Sequence, residues 1–119
     1  EDKAKTLAED FNINYENIGK ITELNKINDI IINTTSAGMQ PNITESIINE
    51  KDLPKDKIVM DIVYKPAQTK LIRLAKKANC QTITGDRMLI HQAALQYRIW
   101  TEKQPNFKLM ESSLLKQMK

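Results

Sequence analysis

Apolar positions along the chain fall into two patterns, continuous runs and helical spacing. Residues 29–34 contain Ile30, Ile31 and Ile32 in succession, and "KIVMDIVY" at 57–64 is a second run of this kind. Short continuous runs of β-branched residues fit strands buried on both faces. Residues 81–84 form a shorter strand that stops at Gly85, and 20–24 is a weaker strand candidate. Elsewhere the apolar residues recur every three or four positions. Ala4, Leu7, Ala8 and Phe11 predict an amphipathic helix over 1–11. Thr69 caps a helix whose stripe is Leu71, Leu74, Ala75 and Ala78. Asp86 is expected to cap a long helix running to about Trp100. Pro105 and Asn106 open a last one, with Phe107, Met110, Leu114 and Met118 on one side. Residues 44–51 read as a short helix capped by Thr44. Strands alternating with helices of this length argue for an α/β fold with a parallel sheet.

That fold class has a consequence for chemistry. In open parallel sheets, ligands sit beyond the carboxyl ends of the strands. Here those ends carry Asn33, Thr34, Thr35 and Ser36, then Tyr64, then Gly85, and all three should share one rim. Four small polar side chains in a row exceed what a plain turn needs. On the long helix, Met88, Gln92, Leu95 and Ile99 form one row and Leu89, Ala93, Tyr97 and Trp100 the next. Gln92 therefore falls inside an apolar surface, where an unpaired buried amide costs about 1–3 kcal/mol. It bonds either to a hydroxyl-bearing ligand or, from the edge of the stripe, to backbone.

Composition narrows the partners. With 119 residues, the chain is long enough for one modest domain with a core. Its net charge of +3 comes from lysines scattered along helical segments, so nucleic acid is not expected as a partner. No apolar stretch approaches a membrane span and no signal-peptide pattern opens the chain, so neither membrane nor export is expected. Cys80 stands alone, which excludes an internal disulfide and fits a reducing cytoplasm. One histidine and one cysteine are too few for a zinc cluster, and no metal is expected. The chain opens inside a helical pattern, as a piece of something longer would.

"INTTSAGMQP", "DIVYKPAQTKLI" and "GDRMLIHQAALQYRIWT" stand in the order and spacing of the C-terminal half of shikimate dehydrogenases, which the chain resembles over nearly its whole length. The resemblance implies a partial Rossmann-like, doubly wound parallel sheet, with strands roughly three to six followed by C-terminal helices. It divides the chain into the C-terminal part of an NADP-binding domain at 1–85 and helices at 86–119 that pack back on a substrate domain this chain lacks. The implied activity is NADP-dependent hydride transfer between 3-dehydroshikimate and shikimate, in aromatic amino-acid biosynthesis. Ile62 resembles the residue whose backbone faces the nicotinamide, and Gly85 the glycine beside it. Met88 resembles a methionine packing nearby, and Thr34, Thr35 and Ser36 lie in the loop along the cofactor. Tyr64 and Gln92 resemble the substrate-side tyrosine and the glutamine that binds substrate hydroxyls. Departures matter too. The glycines are Gly19, Gly38 and Gly85, so the glycine-rich phosphate loop is missing. The family's catalytic lysine and aspartate belong to the N-terminal domain, so no catalytic residue is expected in this chain and it should be inactive alone.

Each position also has a plainer reading. Thr34, Thr35 and Ser36 either satisfy turn amides locally or reach a ligand, with Gly38 allowing a path closed to a Cβ. Gly85 either lets a planar ring approach the backbone or serves a tight turn. Tyr64 is either a rim aromatic or a substrate contact, and Met88 either core filler or a nicotinamide contact. Asp61 lies within an apolar run, so its carboxylate needs partners, for which the loop amides of 34–37 are the expected source. His91 points toward solvent or the flanking helix, and Cys80 has no activating neighbour. If the strand at 20–24 is the family's third, the sheet lacks its first and second, leaving the next strand with an open apolar edge. The isolated chain would then form a homodimer through that edge, rearrange its third strand, or depend on residues it lacks. Two other functions stay open: a quinate dehydrogenase, and a ligand-sensing module without chemistry.

Overall fold

The computed structural model describes residues 2–117. Glu1 and Met118, each assigned to a predicted helix, lie outside them. The elements are α1 (Asp2–Phe11), α2 (Ile21–Ile27), β1 (Ile30–Asn33), β2 (Ile58–Asp61), α3 (Lys70–Lys77), β3 (Gln81–Ile83), α4 (Gly85–Thr101) and α5 (Phe107–Gln117). The three strands form one parallel sheet in the order β1-β2-β3. Ile31, Val59 and Thr82 stand in one row across it, and Asn33 lies opposite Asp61 at its carboxyl end.

One face of the sheet is covered. Helix α3 lays Leu71, Leu74 and Ala75 over Ile31 and Val59, and Ile48, Leu53 and Cys80 complete the cluster. Thr69 caps α3 as the sequence suggests, its hydroxyl accepting from the Ile72 amide at 3.3 Å. The lone Cys80 is buried, with its thiol against the Pro54 carbonyl.

The opposite face is open. Ile30, Ile32 and Ile83 are 56%, 52% and 42% exposed, so β1 is not the doubly buried strand its isoleucine run suggests. Half of that run points to a side that the described residues leave bare.

Three other expectations are corrected. Residues 20–24 are helical: Ile18–Lys20 form a 3-10 turn that leads directly into α2. Asn17 accepts from the Gly19 amide at 2.8 Å, and Ile21 and Leu24 have the i, i+3 spacing of a helix. The sheet therefore has three strands among the described residues, rather than four. Residues 44–51 contain turns, and the 3-10 turn Glu50–Asp52 begins only at their end. The Ile48 amide bonds the Ser46 hydroxyl there, a local bond that competes with helix formation. Finally, α4 begins at Gly85 with Thr84 in the cap position, and Asp86 caps nothing. The Asp86 Oδ1 atom is buried without a hydrogen-bond partner.

Candidate functional site

The carboxyl ends of the strands converge on a buried polar knot. Asn33 and Asp61 are 1% and 0% exposed. The Asp61 Oδ1 atom accepts from the Asn33 side-chain amide and from the Val63 backbone N–H, both at 3.0 Å. Its Oδ2 atom accepts from the Thr69 hydroxyl at 2.6 Å. Of the loop amides expected as its partners, those of Thr35 and Ala37 bond elsewhere, and it is Asn33 that lies opposite Asp61 in the parallel register. Asn33 Oδ1 takes the Thr35 N–H at 3.0 Å and the Thr35 hydroxyl at 2.7 Å.

The loop after β1 is shaped by these bonds. Thr35 Oγ1 also accepts from the Ala37 amide at 3.2 Å, so this hydroxyl is engaged in the turn. Thr34 and Ser36 stand exposed on the wall beside it. A turn closes from Met39 N–H to the Ser36 carbonyl, with Gly38 at φ +90°, a conformation that favours glycine. A Cβ on Gly38 would also lie 3.3 Å from that of Thr69.

Beyond the knot lies a cleft of about 590 Å³. One wall is Thr34, Thr35 and Ser36; the segment after β2, residues 62–64, forms the floor; Met88 and Gln92 of α4 face them. Every candidate site residue except Gly85 lines this space. Met39, Gln40, Val63, Lys65 and Leu89 line it as well. Sequence reasoning passed over all five, though each sits within or beside a quoted motif. Lys65 is the one cationic side chain among these lining residues.

Gly85 contributes from behind. A Cβ there would lie 2.7 Å from the Val63 carbonyl carbon and closer still to the Ile62 carbonyl oxygen. Its φ is not in the left-handed region. The glycine thus lets the start of α4 press on the backbone after β2, and neither a tight turn nor a ligand ring is needed to explain it. Gln92 departs from expectation in another way. Its side chain is exposed on the cleft, because the row it belongs to is not covered: Leu95 and Ile99 are 50% and 65% exposed. His91 faces α5, its ring 5.6 Å from that of Phe107, and does not line this cleft. The Arg87–Glu111 pair also ties α4 to α5, at 2.6 Å.

Comparison with known proteins supplies the family. Residues 87–115 match the shikimate 5'-dehydrogenase C-terminal domain. Over 88 residues the chain is 46% identical to the shikimate dehydrogenase (NADP(+)) of Methanocaldococcus jannaschii, covering 73% of this chain and 31% of that one. The chain belongs to the shikimate dehydrogenase family. It spans less than half the length of the relatives it matches. The structure of Thermus thermophilus shikimate 5-dehydrogenase in complex with NADP(H) and shikimate superposes with a TM-score of 0.81 at 30% identity, covering 93% of this chain and 41% of that one. Quinate dehydrogenase from Corynebacterium glutamicum in complex with NAD gives 0.88 at 29% identity, covering 97% and 43%. The stretch matching the shikimate dehydrogenase domain contains Met88 and Gln92, the α4 wall of the cleft.

Proposed function

We propose that this chain is the C-terminal part of a shikimate dehydrogenase and that its cleft holds the nicotinamide end of NADP beside the substrate ring. The observation that carries this reading is the convergence of Thr34, Ile62, Tyr64, Met88 and Gln92 on one space at the carboxyl ends of a parallel sheet. NADP supplies, when bound, the ring that takes or gives the hydride. The residues present suit that end of a dinucleotide: hydroxyls of Thr34 and Ser36 on one wall, a backbone floor at Ile62 and Val63, and Met88 opposite. They do not supply its phosphate cradle, since the three glycines are too dispersed to form one. Tyr64 and Gln92 would orient the substrate, the amide donating to one ring hydroxyl and accepting from its neighbour. The proton of the oxidised hydroxyl passes to a base outside this chain, in keeping with the family resemblance. Residues 1–85 serve the nucleotide, and 86–119 pack back on a substrate domain.

The setting we propose is the cytoplasm; among the described residues no helix is long and apolar enough to cross a membrane. By itself, the chain is proposed to form a homodimer through the open edge of β1. Quinate is the second reading for the substrate, favoured by the superposition on a quinate dehydrogenase. The test is to assay the complete gene product with shikimate and quinate, each with NADP and NAD. Oxidation of shikimate with NADP at a kcat/KM at least tenfold above the other three pairs is expected. Quinate as the better substrate would favour the second reading, and no turnover with any pair would overturn both.

A further inference from the structure

Asp61 is a fully buried carboxylate with no cationic partner among the described residues, and its three neighbours all donate to it. Such an arrangement is costly to build, because an anion removed from water must be compensated by hydrogen bonds alone. What these bonds join gives it a purpose. Val63 belongs to the floor of the cleft, Asn33 governs the loop that forms its wall, and Thr69 starts α3. Asn33 relays the contact: one end of its side chain donates to Asp61, and the other receives the Thr35 amide and hydroxyl. Its amide also reaches the Ala37 carbonyl at 3.3 Å. Gly38 then packs on Thr69, the residue on the other carboxylate oxygen. The loop after β1 and the segment after β2 are thus tied to one charge.

We propose that Asp61 is a positioning residue that clamps the two walls of the cleft at a fixed separation, touching neither nucleotide nor substrate. This rests on the proposed dehydrogenase reading for its effect on turnover, whereas the clamp itself does not. Reaction geometry is sensitive to such spacing, since a displacement of about 1 Å can lower a rate on the order of 100-fold. An acceptor is required at both oxygens. Asp61→Asn preserves the shape but turns one acceptor into a donor that faces donors.

The test uses the complete gene product with Asp61→Asn, and with Thr69→Val and Thr69→Ser as a second pair. Amide hydrogen exchange and steady-state kinetics are measured on each. In Asp61→Asn, exchange at Thr35 and Ala37, which do not bond Asp61, should speed up at least tenfold. The kcat should fall roughly 10- to 100-fold, while the dissociation constant for NADP changes less than about threefold. Thr69→Val should show the same pattern more weakly, and Thr69→Ser, which keeps the donor hydroxyl, should restore it to within about twofold. Unchanged exchange at Thr35 and Ala37 in both Asp61→Asn and Thr69→Val would overturn the clamp, and an unaltered kcat would overturn its positioning role in turnover. If Asp61→Asn does not fold, the Thr69 pair decides by the same readouts. A parent protein without dehydrogenase activity would refute the functional reading, and exchange would still decide the clamp.

Discussion

Gln92 and Gly85 show how differently two residues on one helix serve the same cleft. Gln92 faces open space with its amide uncommitted to the core. Truncating it should leave the fold intact and remove hydrogen bonds made only to a ligand. In the complete gene product, Gln92→Ala should raise the shikimate KM about tenfold, the loss of one or two net hydrogen bonds, with NADP affinity nearly unchanged. A fall in cofactor affinity instead would contradict the substrate role. Gly85 has no such freedom, because a Cβ would strike the backbone of Ile62 and Val63 rather than a movable side chain. Gly85→Ala should lower stability by about 1–3 kcal/mol through overpacking, read as an earlier midpoint in denaturant, and should disturb the floor of the cleft. The sequence singles out both positions, but it does not show the surroundings that the structure gives them. The apolar row predicts a covered Gln92, whereas the described residues leave that row bare, and side-chain pattern cannot show that Gly85 abuts the backbone of Ile62 and Val63. Side-chain pattern reports which face is apolar, not what covers it.

At the scale of elements, α3 was the best predicted. Its stripe of Leu71, Leu74 and Ala75 and its Thr69 cap are local signals, and the structure shows both. The segments at 20–24 and 44–51 differ from the pattern's prediction because their apolar residues fit more than one period. Ile21 and Leu24 suit a helix turn as well as a strand, and capping by Asn17 at the preceding 3-10 turn favours the helix. A surface ion pair adds to that turn: Lys20 lies 2.9 Å from Glu16 and holds that carboxyl below its usual range. Both side chains are solvated, so the pair contributes little. Within 44–51 the decisive residue is Ile48, which sits 1% exposed in the core although no helix carries it. Its burial implies that this loop is anchored rather than draped. Ile48→Ala should therefore cost about 2–4 kcal/mol, as a core helix position would. An exposed-loop response, with a stability loss below about 0.5 kcal/mol, would contradict that anchoring.

For the whole molecule, what matters is how much apolar surface stays bare. Ile30 and Ile32 on the sheet, Phe11 and Ile13 near α1, and Ile99 and Trp100 on α4 are all exposed by half or more. Among the described residues β1 also presents an unpaired edge, since β2 occupies only its other side. Open, apolar edges recruit further strands. The isolated chain should therefore show a weight-average mass that rises with concentration in light scattering, and Ile32→Lys should reduce that rise. A stable monomer across the concentration range would count against the edge as a point of association. The sharing of one rim by the three strand ends was the strongest statement available from sequence, because parallel β-α order alone demands it. A structure of the complete gene product with NADP+ and shikimate bound tests the reading of that rim most directly. The shikimate hydroxyls should lie within hydrogen-bond distance of Gln92 and Tyr64, with the nicotinamide against the backbone of Ile62 and Val63. A ring bound away from these residues, or a nicotinamide outside the cleft, would contradict it.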